Sequence, residues 1–244
     1  MYVDRKYRSE LASDLATFEI KIKETDLLIS LTPEAITPEI KDRIAQYTFF
    51  LRNELESYIQ EDPEFFHTLS PHLVRPGAPE IAFQMAKCAN LVGVGPMAAV
   101  AGGFAQMVGE YAGRFSREVI VENGGDIYLK SSKTRKVGIF AGTSPFSKRI
   151  AVKIHPTKKS IGICTSSGTV GPSLSLGKAD AAVVLAKSAF LADACATAVG
   201  NKVTNPEDFD RAIEFVRKIK DVTGVLLIKD DKMAVWGDVE IAPL

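Results

Sequence analysis

REVIVENGGDIYLK, residues 117–130, is the stretch that decides the fold. Two β-prone runs, REVIVE (117–122) and IYLK (127–130), flank Asn123-Gly124-Gly125. That break is long enough for a tight turn and far too short for the crossover that parallel strands require, so the two runs are expected to pair antiparallel. The same grammar continues through KVGIF (136–140), RIAVKIH (149–155), SIGIC (160–164) and DAAVVLA (180–186). Turn-forming residues at 131–134, 142–147 and 156–159 separate these runs. A closing hairpin is expected from 225–228 and 233–236 around Asp230-Asp231.

Helices precede and follow this strand-rich part. TFEIKIKETDLLIS (17–30) reads as a hairpin or two short strands turning near Glu24-Thr25-Asp26. Thr37 as cap and Pro38 at the first position then open a long amphipathic helix, with Ile40, Ile44, Tyr47, Leu51, Leu55 and Tyr58 at three-or-four spacing. Residues 62–79, with four prolines, His67 and His72, read as a loop. The two histidines show no acidic or cysteine partner in ligand spacing, and surface or turn packing is the expectation for them. Two further helices are predicted over about 80–90 and 97–111, broken by Gly93-Val94-Gly95-Pro96. That break fits a relaxed dinucleotide fingerprint, but Pro96 lacks an amide where a pyrophosphate needs a donor and no βαβ series follows. Asn205 and Pro206 open a late helix whose acidic start and basic end match its dipole. Runs of helices and runs of strands joined by tight turns predict an α+β fold with antiparallel sheet, in one domain spanning 1–244.

Composition narrows the function classes. The chain has 244 residues with 30 basic and 30 acidic side chains, so no bulk charge favours nucleic acid or an anionic membrane. Cys88, Cys164 and Cys195 have neither metal-site spacing nor a disulfide pattern, which predicts reduced thiols. The charged start, MYVDRKYRSE, is not followed by an apolar run, and no window is long enough to span a membrane. A cytoplasmic protein without a signal peptide or lipoprotein leader is the expectation.

Three small-residue stretches are candidates for binding. KSAFLADACATAVGN (187–201) predicts a helix capped by Ser188 and stopped at Gly200-Asn201, too poor in bulk to fill a core but able to admit a backbone or ligand closely. Asp193 and Thr197 lie four apart on one face of it. They are either a solvated charge beside a back-bonded hydroxyl or half of a Mg²⁺ site, since hard cations take one or two carboxylates with hydroxyl, carbonyl, water and phosphate oxygens. Asn123, Gly124, Gly125 and Asp126 are either a hairpin turn or a place where a flat or phosphorylated ligand reaches backbone amides. Thr165, Ser166, Ser167, Gly168 and Thr169 either end a strand or form a phosphate nest. Cys195 reads as a small buried hydrophobe; Cys164 is better placed for a role.

Taken together, GGFAQMVGEY (102–111), NGGDI (123–127), CTSSG (164–168) and LADACATAVGN (191–201) resemble, in order, four segments of the ApbE-like superfamily. Its best-known members are Mg²⁺-dependent flavin transferases that move FMN from FAD onto a protein threonine. The resemblance implies antiparallel sheets backed by helices, related to the tunnelling fold. It implies Asp193 and Thr197 as metal ligands, helped by a backbone carbonyl near 101–103. Gly124, Gly125 and Asp126 would line the flavin or its adenosine end, and Ser166, Ser167 and Gly168 would approach the phosphates. The chain departs from the family where a lysine is replaced by Gly102, an aspartate by Met107, and an HxxDPxTG segment by GPSLSLGKADA (171–181). The expected function is therefore binding of a flavin (FAD or FMN) or another phosphorylated nucleotide-like small molecule, with Mg²⁺ and with the transfer residues largely missing. The alternatives are a non-catalytic accessory protein of anaerobic sulfur or one-carbon anabolism acting through protein contacts, and an unconventional FAD:protein FMN transferase.

Overall fold

The computed structural model describes residues 14–156, 159–168 and 176–244. The opening MYVDRKYRSE, Thr169 and residues 171–175 of the divergent segment lie outside the described residues. The chain opens with a hairpin, β1 (Ala16–Ile22) and β2 (Thr25–Leu31), then α1 (Pro38–Glu61), α2 (Pro63–His67), α3 (Glu80–Val92) and α4 (Val100–Ala112). Six strands follow, β3 (Val119–Asn123), β4 (Asp126–Lys130), β5 (Arg135–Gly138), β6 (Ile150–Ile154), β7 (Ile161–Ser166) and β8 (Ala181–Ala186). The end of the chain is α5 (Ala189–Gly200), α6 (Phe209–Arg217), β9 (Val222–Lys229), β10 (Lys232–Gly237) and β11 (Glu240–Pro243).

The antiparallel expectation holds throughout. Eight strands form one sheet in the order β1-β2-β3-β4-β7-β8-β9-β10, and β11-β6-β5 form a second. Every pairing in both sheets is antiparallel. Gly124 and Gly125, at φ 70° and 114°, make the two-residue turn between Asn123 and its partner Asp126. Positive φ at both central positions suits the right-handed twist of the flanking strands, which is why glycines stand there.

The large sheet is covered on both faces. Alternate side chains such as Ile29, Val121, Tyr128 and Val184 pack under the helices, whereas Ile120, Leu129, Ile163 and Val183 pack against Val137, Val152 and Ile154 of the small sheet. Burial on both sides explains why AAVVLA of β8 is apolar at every position rather than alternating.

Local chemistry sets the helix ends. Thr37 Oγ1 accepts from the Ile40 amide with Pro38 behind it, as the sequence predicts, and Gly93 ends α3 in the left-handed region at φ 78°. Two expectations are corrected. Residues 62–79 are not loop throughout, because Pro63 starts a further helical turn after Asp62. The third predicted helix is two pieces, a 3₁₀ turn over Pro96–Ala99 and then α4. β11 was not expected; it completes the small sheet beside β6. Among the described residues no single helix is long and apolar enough to cross a membrane.

Candidate functional site

Side chains two apart on a strand share a face. Tyr128 lies under Gly109 of α4, so Asp126, two residues back, points to the helix side as well. Gly162 lies under Ala189 of α5, and Cys164 and Ser166 follow it on that face. Strand ends β3, β4 and β7 thus present Asn123, Asp126, Cys164 and Ser166 toward α4 and α5.

α5 comes unusually close because of glycine and alanine. A Cβ on Gly102 would fall 2.3 Å from the Ala189 carbonyl oxygen and 2.8 Å from Asp193 Cβ, and one on Gly162 would fall 2.4 Å from Ala189 Cα. The small-residue stripe read from 187–201 is therefore a packing surface on two sides, between α4 and the sheet.

Asp193 sits at the start of α4. Its Oδ2 accepts from the Gly102 amide at 2.8 Å, and the Ala101 amide also donates to the carboxyl group. Those amides are two of the four orphan donors at a helix start, and Ala99 at the cap position has no side chain to serve them. The backbone here meets Asp193 with N–H groups; the Ala101 carbonyl accepts from Asn123 Nδ2 at 3.2 Å. Burial pushes the Asp193 carboxyl well above the ordinary carboxylate range, and the neighbouring Asp126 pushes it further, against the opposing pull of the two amides. Asp126 Oδ1 in turn accepts from the Thr165 amide at 3.3 Å. Cys164 lies between them, with Sγ 3.5 Å from the Ala189 carbonyl. Its thiol is pushed up by burial and then by Asp126 and Asp193. Asn123, Asp126, Cys164 and Asp193 therefore converge on one small polar volume.

The other candidates lie further along. Thr197 is half-buried one turn beyond Asp193 on α5. Ser166 is near the Gly200 end of α5, where a Cβ on Gly200 would be 3.5 Å from Ser166 Oγ. The Gly168 amide is engaged by the Ala179 carbonyl at 2.9 Å, as the Thr165 amide is by Asp126. Among the described residues no group of three or more His, Cys, Asp or Glu side chains is arranged to hold a metal ion. Two converging carboxylates still fit Mg²⁺, which keeps waters and takes ligand phosphates in its remaining positions.

Three features escaped the sequence reading. Ser188 does occupy the cap position of α5, but its hydroxyl does not cap; Gln106 Oε1 accepts from the Ala189 amide at 2.8 Å and from Ser188 Oγ at 2.9 Å. His72 has an acidic partner after all, with Nε2 2.8 Å from Asp62 Oδ2, which also accepts from Tyr58 Oη at 2.9 Å. A cleft of about 690 Å³ opens between α1, the β1–β2 hairpin and the start of α4 and reaches Ala101 and Asn123. None of the three depends on near-neighbour spacing that a sequence pattern could expose. Cys195 is the buried hydrophobe expected, its thiol pushed up to about 12 by burial.

Comparison with known proteins agrees with the fold. A family model described as AbpE bacteria matches residues 8–231. A UPF0280 protein of Methanocella arvoryzae is 40% identical over 222 residues, covering 91% of this chain and 88% of that protein. Another, from Methanothrix thermoacetophila, is 44% identical over 190 residues, covering 77% and 79%. Among solved structures, the flavin transferase ApbE of Vibrio cholerae superposes with a TM-score of 0.60 at 15% identity, over 92% of this chain and 97% of that one. The apo flavinyl transferase ApbE of Pseudomonas stutzeri gives 0.59 at 11% identity, over 91% and 94%. At such identities the likeness is one of fold, and it is the fold that the four short segments implied. With its family model and its UPF0280 relatives in agreement, this chain belongs to the AbpE bacterial family, a divergent UPF0280 branch of the ApbE-like superfamily.

Proposed function

We propose that this protein binds a flavin or another phosphorylated nucleotide-like ligand at the junction of α4, α5 and the β3–β4 turn, with a divalent cation such as Mg²⁺ at Asp126 and Asp193. The observation that carries the reading is the convergence of those two carboxylates, Asp126 raising the cost of ionising Asp193, at a helix start facing a cleft. A bound cation would supply the charge that lets phosphate oxygens approach two acids. Asp193, whose Oδ2 is engaged by the Gly102 amide, would hold that cation through its carboxylate. Asp126 is fixed by the Thr165 amide, and the Ser166 and Ser167 hydroxyls would donate to phosphate oxygens. Gly125, with open space where a Cβ would point, lets a flat group approach the turn.

FMN transfer is not part of this reading. Where the family's lysine stands, any Cβ would strike the α5 backbone, so the packing of α4 on α5 requires the glycine that replaced it. A ligand that binds the folded state alone, present at a hundred times its Kd, adds about 2.7 kcal/mol of stability. Thermal unfolding with FAD, FMN, ATP and ADP, each with and without Mg²⁺, should show a Tm rise that needs Mg²⁺ and is lost in Asp193→Asn. No rise with any of the four would refute the reading.

A further inference from the structure

The sheet edges of this protein are not alike. β1 carries Glu19 and Lys21 as an ion pair between its apolar residues, β11 ends in Pro243, and β5 opens with Arg135 and Lys136. Charge and proline are the usual means by which an edge strand avoids pairing with another chain. β10, the last strand of the large sheet, has neither between its ends. Met233, Ala234, Val235 and Trp236 run there without a break, and Val235 is 40% exposed.

The backbone along this edge is set for a further strand. The Asp238 amide donates to the Thr223 carbonyl at 2.8 Å, in the register that pairs Lys232 with Lys229 and Gly237 with Gly224. Amides alternate in direction along an antiparallel strand. Lys232, Ala234 and Trp236 therefore face β9, whereas Met233, Val235 and Gly237 turn their N–H groups outward.

The side chains along the edge are self-complementary about Val235. With a second copy antiparallel and Val235 opposite its counterpart, Met233 falls opposite Gly237 and Ala234 opposite Trp236, so each large side chain meets a small one. Lys232 falls opposite Asp238. Both are exposed, and among the described residues neither forms an ion pair, whereas the nearby Lys229 is held by Asp230 at 2.7 Å and Asp180 at 3.8 Å. Opposite charges facing each other across a strand pair are favourable, and like charges the reverse. A two-fold axis asks for this property, because residue i of one copy meets j of the other and j meets i. Moving the axis by one residue would bring amides turned toward β9 to the centre, where they have nothing to offer the second copy.

We propose that β10 pairs with β10 of a second copy of this chain about a two-fold axis at Val235, joining two eight-stranded sheets into one. β8 and β9 separate this edge from β7, so the contact is independent of the ligand site proposed above.

The test is sedimentation velocity on the purified full chain at micromolar to submillimolar concentrations, where the wild type should be a dimer. Val235→Pro removes the central outward N–H but no bond of the β9–β10 ladder, and should sediment as a monomer. Lys232→Asp alone and Asp238→Lys alone should each weaken the dimer by about tenfold. Mixing those two variants should restore wild-type affinity, because every facing pair is then again of opposite charge. Facing Cα atoms of a hydrogen-bonded antiparallel pair lie about 5.5 Å apart, within disulfide reach, so Val235→Cys should cross-link to itself on oxidation and Lys232→Cys should not. The native Cys88, Cys164 and Cys195 are buried and do not compete. The inference is overturned if the wild type is monomeric throughout, if Val235→Pro stays dimeric while circular dichroism shows it folded, if Val235→Cys does not cross-link, or if the mixed charge variants associate no better than either alone. Should Val235→Pro not fold, the charge variants, at exposed positions, decide the matter.

Discussion

Gln106 on α4 and Asp193 on α5 each accept amide hydrogens from the first turn of the other's helix, Gln106 from Ala189 and Asp193 from Ala101 and Gly102. The two helices therefore lack working caps of their own and exchange them. Such an arrangement couples the position of Asp193 to the packing of α4 on α5, so a residue proposed to hold a cation is also part of the scaffold.

The exchange predicts different outcomes for two substitutions. Gln106→Ala removes an acceptor from the α5 start and should lower stability by about 1 kcal/mol, the usual worth of a cap. Asp193→Asn keeps an oxygen for the Gly102 amide and ends the repulsion with Asp126, so its urea midpoint should match or exceed that of the wild type. Loss of Mg²⁺-dependent ligand binding with stability intact would then separate the two roles of Asp193. A strongly destabilised Asp193→Asn would mean that its charge, not its oxygen, holds α4.

Gly102 and Gly162 are expected to be intolerant of any side chain. An added methyl group would meet the backbone of Ala189 at 2.3 Å or 2.4 Å, contacts that no rotamer can relieve. Gly102→Ala should gain helix propensity of about 1 kcal/mol and still lose net stability, because overpacking in a well-filled interior costs about 1–3 kcal/mol or more. Chemical denaturation of both variants checks this. A stabilised Gly102→Ala would show that α5 can move away at little cost.

How much of this was legible follows from the range of each interaction. The hairpin at 123–126 could be read because its signal, two glycines between β runs, is local, and so could Thr37-Pro38 at the start of α1. The Asp193–Thr197 face was legible for the same reason, being one helical turn. The approach of Asp126 to Asp193 was not legible, because it joins residues 67 positions apart in the sequence through a strand end and a helix. The Ser188 cap failed because a glutamine from another helix competes for the same amide. His72 looked unpartnered for a like reason, since Asp62 reaches it only when α2 turns the chain back.

Acid should weaken the fold at an identified place. Burial pushes the Glu118 carboxyl up, but hydrogen bonds from Ser131, Ser132 and Arg135 outweigh burial and hold it at about 2 against an ordinary 4.5. A depressed carboxylate stabilises the fold above its unfolded value and loses that contribution as pH falls toward its folded value. Between about pH 4.5 and 2 the loss should be on the order of 3 kcal/mol, less whatever solvent screening removes. Urea midpoints measured across that range should fall steeply in the wild type and less steeply in Glu118→Gln. Equal slopes would remove Glu118 from the account of acid sensitivity.

Cys164 tests whether the polar volume between α4, α5 and the sheet is a place for thiol chemistry. It is fully buried, its sulfur lies against the Ala189 carbonyl, and burial together with Asp126 and Asp193 disfavours the thiolate. Nucleophilic cysteines require the opposite environment, with a nearby cation or a helix start turned toward the sulfur. Here the helix start of α4 is turned toward Asp193 instead. Cys88 and Cys195, pushed up to about 11 and about 12 by burial, are no more reactive. Ellman's reagent at pH 8 should therefore leave the folded protein nearly unlabelled over a period in which all three thiols react in guanidinium chloride. Cys164→Ser should keep Mg²⁺-dependent ligand binding within about threefold, because a hydroxyl can still donate to the Ala189 carbonyl. Rapid labelling of Cys164 in the folded state would show that the volume opens to solvent and that the sulfur has a part in the chemistry that its surroundings now argue against.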